Sequence, residues 1–298
     1  MTQFRIKQLA IIGVGLIGGS LARALRRANA VEHITGAGRN PEHLKHAQEL
    51  GVVDDFTTSI PMAVKDADIV LISAPMCAYD AIFAEMTGTL PEHCLITDAG
   101  STKQHAIDTA RKQLSASQMS RFVPAHPIAG TEHSGVDASF AELFDNHLCV
   151  LTPIKETRPE AVQDIQDMWQ TTGSDVMCMD AADHDDFLAA VSHLPHLAAF
   201  ALVNAVRKQG NGNHDPFHFA SGGFRDFTRI ASSSPEMWRD IALCNRTSLL
   251  HKLDALQAEL GELRTALEAG DGDRLLAEFR QAKQARDKWL VGHEDSRE

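Results

Sequence analysis

Leu9-Ala-Ile-Ile-Gly13-Val-Gly15-Leu16-Ile17-Gly18-Gly-Ser20 is the stretch on which the reading of the chain turns. Leu9 to Val14 is a short apolar run that ends among glycines, and Leu16 to Arg27 carries helical spacing, so the segment reads as strand, tight turn and helix. The turn has the form Gly-x-Gly-x-x-Gly. Gly13 permits the bend, Gly15 lets the backbone approach a pyrophosphate, and Gly18 lets the helix pack on the strand. The first turn of such a helix offers unpaired N–H groups and a positive dipole end to phosphates. The pattern alone is a weak signal; the apolar strand before it and the helix after it give it weight.

Strand and helix signals then alternate. Short strands are expected at His33–Gly38, Asp68–Ala74, Cys94–Asp98 and Arg121–Pro124, and helices at Pro41–Leu50, Tyr79–Met86 and Thr102–Leu114. This alternation predicts a doubly wound parallel α/β sheet. Beyond it, His147–Thr152 and Ser174–Met179 read as two strands around a helix at Pro159–Thr171, and could extend the sheet. From about Ala181 strand signals cease. One long helix is expected over Ala182–Gln209, then a Gly- and Asn-rich loop to Gly223, then helices over Pro235–Ala269 and Asp273–Val291. The expected division is a dinucleotide-binding domain over 1–180 and an all-helical domain over 181–298.

Composition narrows the function. The chain has 298 residues and a net charge of −12 with no long Lys/Arg run, which argues against a nucleic-acid partner. Five scattered cysteines, most of them among apolar residues, read as buried reduced thiols of a cytoplasmic protein, with no metal site and no disulfide framework. No apolar leader follows Met1. The most membrane-like run, Phe187–Val206, contains His193, Pro195, His196 and Asn204, and reads as a bundle-core helix rather than a membrane span.

Four further segments carry chemistry. About 20 residues past the glycines, where an NAD site commonly has a carboxylate for the ribose hydroxyls, stand Gly38 and Arg39. A cation there suits a 2′-phosphate and favours NADP over NAD; the other reading is that Arg39 is merely solvated. In Asp98-Ala-Gly-Ser-Thr-Lys103, Ser101 can bond a substrate hydroxyl or cap the following helix, and the two roles compete; Lys103 reads as a first-turn lysine. His126-Pro-Ile-Ala-Gly-Thr131-Glu132 puts an imidazole, with its near-neutral pKa, between Pro127 and a Gly130 expected to turn the chain tightly. In Ser192-His-Leu-Pro-His196 the two histidines share a helix face that Pro195 should bend; they are either a cleft wall or core histidines. Arg225, Arg229 and Arg239 lie near aromatic residues, each suited to gripping a carboxylate or pairing with a nearby Asp such as Asp226 or Asp240.

Taken together and in this order, these segments resemble the prephenate/arogenate dehydrogenase (TyrA) family over essentially the whole length, including Gly223-Phe-Arg-Asp-Phe-Thr-Arg229 and Met237-Trp-Arg-Asp240. The resemblance implies a Rossmann-type doubly wound sheet followed by an all-α C-terminal domain arranged as in 6-phosphogluconate dehydrogenases. It implies oxidative decarboxylation of prephenate to 4-hydroxyphenylpyruvate, or of arogenate to tyrosine, with NADP or NAD, in a homodimer made through the helical domain. By the same resemblance His126 is the catalytic base and Ser101 its partner at the substrate hydroxyl. His193, Arg229, Glu132, Trp238 and Thr131 fall on substrate positions. Gly13, Gly15, Leu16, Ile17, Gly18, Arg39 and Ser73 form the cofactor set. Gly38-Arg39 departs from NAD-using members that carry an acid there. Two rivals are a dehydrogenase of β-hydroxy acids or imines, and a nucleotide sensor without turnover. No fused mutase or regulatory domain is expected.

Overall fold

A computed structural model describes residues 4–131, 133–210 and 214–294. The elements run β1 (Ile6–Ile12), α1 (Leu16–Arg27), β2 (Val31–Ala37), α2 (Pro41–Glu49), β3 (Asp55–Thr57), α3 (Ile60–Val64), β4 (Ile69–Ile72), α4 (Tyr79–Met86), β5 (Leu95–Asp98), α5 (Lys103–Gln113), α6 (Ala116–Met119) and β6 (Phe122–Val123). Strands one to six form one parallel sheet in the order β3-β2-β1-β4-β5-β6. The order reverses between β1 and β4, the place where open α/β sheets bind ligands outside their strand C-termini.

The sheet is covered on both faces, which is why its strands read as unbroken apolar runs rather than as alternating ones. Leu9 and Ile11 point into one core with Leu71, Leu95 and Trp169. Ala10 and Ile12 point into the other with Val70, Ile72, Ile96 and Phe83. Each fully buried large side chain of this kind contributes roughly 1.5–3 kcal/mol by burial.

After β6 the chain leaves the sheet at Pro124. β7 (Ala125–Pro127) pairs antiparallel with β8 (Leu148–Leu151), which lies parallel to β9 (Asp175–Cys178) across α7 (Pro159–Thr171). These strands make a separate three-stranded sheet, so the expectation that they extend the large sheet is wrong. Pro124 has no N–H to donate to a ladder, and β6 is only two residues long. The small sheet carries His126 in β7.

From Ala181 every regular element among the described residues is helical: α8 (Ala181–Leu188), α9 (Leu194–Arg207), α10 (Gly222–Thr228), α11 (Pro235–Cys244), α12 (Arg246–Ala269) and α13 (Gly272–Glu294). The single long helix expected over 182–209 is interrupted. A π turn, Ala189–His193, separates α8 from α9. Pro195 lacks the N–H that would close the α-helical ladder one turn back, and a widened turn absorbs the mismatch. The apolar run expected as a bundle core is largely open in the chain: Val191 is 73 % exposed and Phe187 55 %.

By compactness the chain divides into residues 1–246 and 247–298. In the second unit α12 and α13 are joined through Gly270, whose φ of +64 is the left-handed geometry that favours glycine, and by an Arg274–Glu262 ion pair.

Candidate active site

The glycine turn has the geometry of a phosphate cradle. Gly13 has φ +97, and a Cβ there would lie 2.6 Å from the Ser73 carbonyl oxygen. A Cβ on Gly18 would lie 2.4 Å from Ser73 Oγ and 2.5 Å from the Gly13 carbonyl. A Cβ on Gly15 would meet nothing within 4 Å. Two glycines are therefore demanded by the protein's own packing, and the third faces open space, as a pyrophosphate site requires. The N-terminus of α1, where Leu16 and Ile17 begin the helix, has no side-chain cap, so its N–H groups remain for an anion. Ser73 is a strut of this turn: its hydroxyl donates to Gly13 O at 2.6 Å. Arg39 is exposed just beyond the C-terminus of β2. These residues fit a dinucleotide.

Next along the strand ends comes Asp98, fully buried at the end of β5. Its Oδ1 accepts the Ala125 N–H at 3.0 Å; its Oδ2 accepts from Tyr79 Oη at 3.0 Å, Gly100 N at 2.9 Å and Lys103 Nζ at 2.5 Å. Lys103 is also fully buried, and its ammonium donates to the Ala125 carbonyl at 2.6 Å. It is thus no ordinary first-turn lysine. Asp98 and Lys103 clamp both polar groups of the peptide residue that precedes His126, which fixes where β7 delivers the imidazole.

The expected cap of α5 also needs correction. The N-cap is Thr102, without a side-chain cap bond. The free N–H groups of the first turn are taken by Asp185 of α8: Lys103 N donates to its Oδ1 at 2.7 Å and Gln104 N to its Oδ2 at 2.9 Å. Ser101, half-buried in the bend before the helix, is therefore released from capping. Gly130 needs correction too. Its φ is not left-handed and a Cβ there meets nothing within 4 Å, so no tight turn depends on it.

His126 is half-buried, and its Nδ1 lies 2.9 Å from Nε2 of fully buried His184. His184 Nδ1 in turn lies 2.8 Å from Asp185 Oδ1. A carboxylate only accepts, so His184 donates from Nδ1, and a ring carrying that single proton accepts at Nε2. His126 must then donate from Nδ1, which leaves its lone pair on Nε2. Burial, followed by the neighbouring His184, Lys103 and His193, holds the His126 pKa well below the usual imidazole value. At neutral pH the ring is a free base of one tautomer, the state a general base needs.

A second histidine faces the same region from the helical half. Asn245 Nδ2 donates to the Asp185 backbone carbonyl at 2.7 Å and meets His193 Nδ1 at 3.2 Å. His193 Nδ1 thus accepts, and the proton sits on Nε2. Burial pushes the His193 pKa down to about 4, so it is a neutral donor. His193 Nε2 and Trp238 Nε1 are buried polar atoms without a protein partner, and their rings lie 6.0 Å apart. Two unmatched donors side by side suit an oxygen-rich ligand. Trp238 also stacks on His196 at 3.5 Å. Burial lowers the His196 pKa, and so does the nearby positive charge of Arg229. Arg229 itself is exposed at the start of a short 3-10 turn packed on α9. Arg239 and Arg225 are paired with Asp240 and Asp226 respectively.

Thr131 is exposed and bonds to His133 among the described residues; Glu132 lies outside them. The residues that sequence reasoning missed are His184, Asp185 and Asn245. The signal that could have found them is a His-Asp pair opening the most apolar helix, where buried charge needs a reason.

A reversed strand order at a glycine cradle, with a neutral imidazole at the neighbouring strand ends, defines a nicotinamide-nucleotide-dependent dehydrogenase with a helical second part. The nucleotide-binding domain model of prephenate dehydrogenases matches residues 21–178, and their dimerization domain model residues 180–281. The chain is 39 % identical over 287 residues to the cyclohexadienyl dehydrogenase of Zymomonas mobilis, covering 96 % of each. It is 38 % identical over 280 residues to the prephenate dehydrogenase of Bacillus subtilis, covering 94 % of this chain and 75 % of that one. Among solved structures it is similar to the Aquifex aeolicus prephenate dehydrogenase in complex with hydroxyphenyl propionate and NAD+, with TM-score 0.90, 34 % identity and 96 % and 99 % of the two chains covered. The Synechocystis arogenate dehydrogenase follows at TM-score 0.78 and 28 % identity, with 95 % and 99 % covered. The chain belongs to the prephenate dehydrogenase family, and it is an NAD(P)-dependent oxidoreductase.

Proposed function

We propose that the chain oxidatively decarboxylates prephenate to 4-hydroxyphenylpyruvate in tyrosine biosynthesis, with arogenate as the alternative substrate. The observation that carries this is His126: a buried-edge imidazole held in one tautomer, with its lone pair on Nε2, beside two unmatched donors on His193 and Trp238. The substrate ring carries a hydroxyl opposite a carboxylate. His126 Nε2 takes the hydroxyl proton as that carbon becomes a carbonyl, with the Ser101 hydroxyl oriented on the same oxygen. Bound nicotinamide nucleotide supplies the hydride acceptor. The ring carboxylate then leaves as carbon dioxide, its bonding electrons make the ring aromatic, and His126 returns the proton to the phenolate. General-base help of this kind is worth ~10²–10⁴ in rate. His193 and Trp238 hold substrate oxygens, Arg229 grips a carboxylate, and the family resemblance adds Thr131 and Glu132 to the substrate set.

The cofactor rests on Gly13, Gly15, Leu16, Ile17 and Gly18, with Ser73 bracing the turn. Arg39 favours NADP, because a guanidinium beyond β2 can pair with a 2′-phosphate and no acid stands there to repel it. The proposed domains are 1–180 and 181–298, supported by the helix-only sequence after Asp180. A homodimer is supported by the match to the family's dimerization domain, and a cytoplasmic location by five free cysteines, of which Cys77 and Cys178 are exposed rather than buried as expected. Steady-state assays of prephenate and arogenate, each with NAD and NADP, test the reading. Turnover of prephenate with the higher kcat/KM on NADP is expected; no turnover of either substrate would refute it.

A further inference from the structure

We infer that His184 and Asp185 are positioning residues for His126: they fix its tautomer and tie it to the helix that follows Ser101. This rests on the reading of His126 as the base. The geometry is a chain of three groups drawn from two parts of the fold. β7 supplies His126, and the first two turns of α8 supply His184 and Asp185. Both links, 2.9 Å and 2.8 Å, are of hydrogen-bond length. His184 is 0 % exposed and Asp185 3 %. A buried ionisable pair is costly to retain unless its geometry is used for something.

Asp185 does three things at once. Its Oδ1 orients His184, and both oxygens take the first N–H groups of α5. Its backbone carbonyl holds Asn245, which orients His193. One residue thereby sets the donor and acceptor sides of both histidines and fixes the N-terminus of the helix that follows Ser101. A free imidazole distributes its proton between two nitrogens. With His184 Nε2 facing Nδ1 of His126, only the Nδ1–H form makes the bond, so Nε2 is always the bare one.

The test has two parts. First, 15N NMR of the wild-type protein with labelled histidine, at slightly alkaline pH, reads the tautomer directly. The inference requires His126 as Nδ1–H with a bare Nε2; a signal for Nε2–H overturns it with no variant needed. Second, His184→Leu and His184→Gln are compared. Leucine fills the space without an acceptor, whereas glutamine offers an oxygen to the Nδ1–H. Leucine should lower kcat about 10- to 100-fold, a part of the ~10²–10⁴ that a base contributes. KM and cofactor affinity should stay within about twofold, and glutamine should recover most of kcat. Equal kcat in all three proteins, or a glutamine variant no better than leucine, overturns the inference. Should His126→Asn prove as active as wild type, the base assignment fails instead, and the wild-type NMR result still judges the tautomer.

Discussion

His193 shows how a buried residue reports on its surroundings. Its pKa is pushed down from 6.5 to about 4, mainly by burial. Above pH 6.5 it is neutral whether the chain is folded or unfolded and adds no pH dependence. Below that, the unfolded chain takes up a proton that the native state refuses, so stability falls as pH falls and levels off near 4. The loss is of order 3 kcal/mol across that interval. Urea midpoints measured through it should decline less steeply for His193→Gln than for wild type; parallel declines would mean that His193 is not the group responsible. Arg229 makes a different prediction. Arg229→Ala should raise KM for the substrate by about 10- to 100-fold, as the loss of charge-assisted bonds worth ~1.5–3 kcal/mol implies, with little change in kcat. A KM within twofold of wild type would take Arg229 out of the site. Both residues were marked in the sequence, but their companions were not. Asn245 lies 52 residues from His193, and only the fold brings its amide to the ring.

Among elements, the glycine turn yields the clearest contrast. Gly18→Ala puts a methyl 2.4 Å from Ser73 Oγ and 2.5 Å from the Gly13 carbonyl, an overpacking worth roughly 1–3 kcal/mol, and should lower Tm. Gly15→Ala enters open space at φ −108, so Tm should hold while cofactor Kd rises about tenfold or more, at least ~1.4 kcal/mol. Calorimetry and cofactor titration separate the two; a Gly15→Ala protein with unaltered Kd would mean that the pyrophosphate does not pass there. The turn was legible because its spacing is local. β8 and β9 were legible as strands but not as a separate sheet, since partner choice is decided by the break at Pro124 rather than by their own residues. The cap of α5 was misread because a carboxylate 82 positions away outcompetes the nearby hydroxyl. The π turn before Pro195 was legible only as a bend.

For the whole molecule, a chain of net charge −12 binds an anionic dinucleotide and, on the proposed reading, a substrate with two carboxylates. Long-range charge works against both, so on the proposed reading recognition comes from local groups: the N-terminus of α1, Arg39, Arg229 and neutral donors such as His193. The order of motifs along the sequence made the family legible, whereas the way α8 reaches back to α5 and β7 was not, because it depends on how elements distant in sequence pack. The central claim is that His126 Nε2 removes the proton that starts the reaction. It is tested most directly by measuring kcat with prephenate and the dissociation constant of the cofactor for wild type and His126→Asn. A kcat lowered by ~10²–10⁴ with the cofactor constant unchanged is the expected result; a kcat within a few-fold of wild type would contradict it.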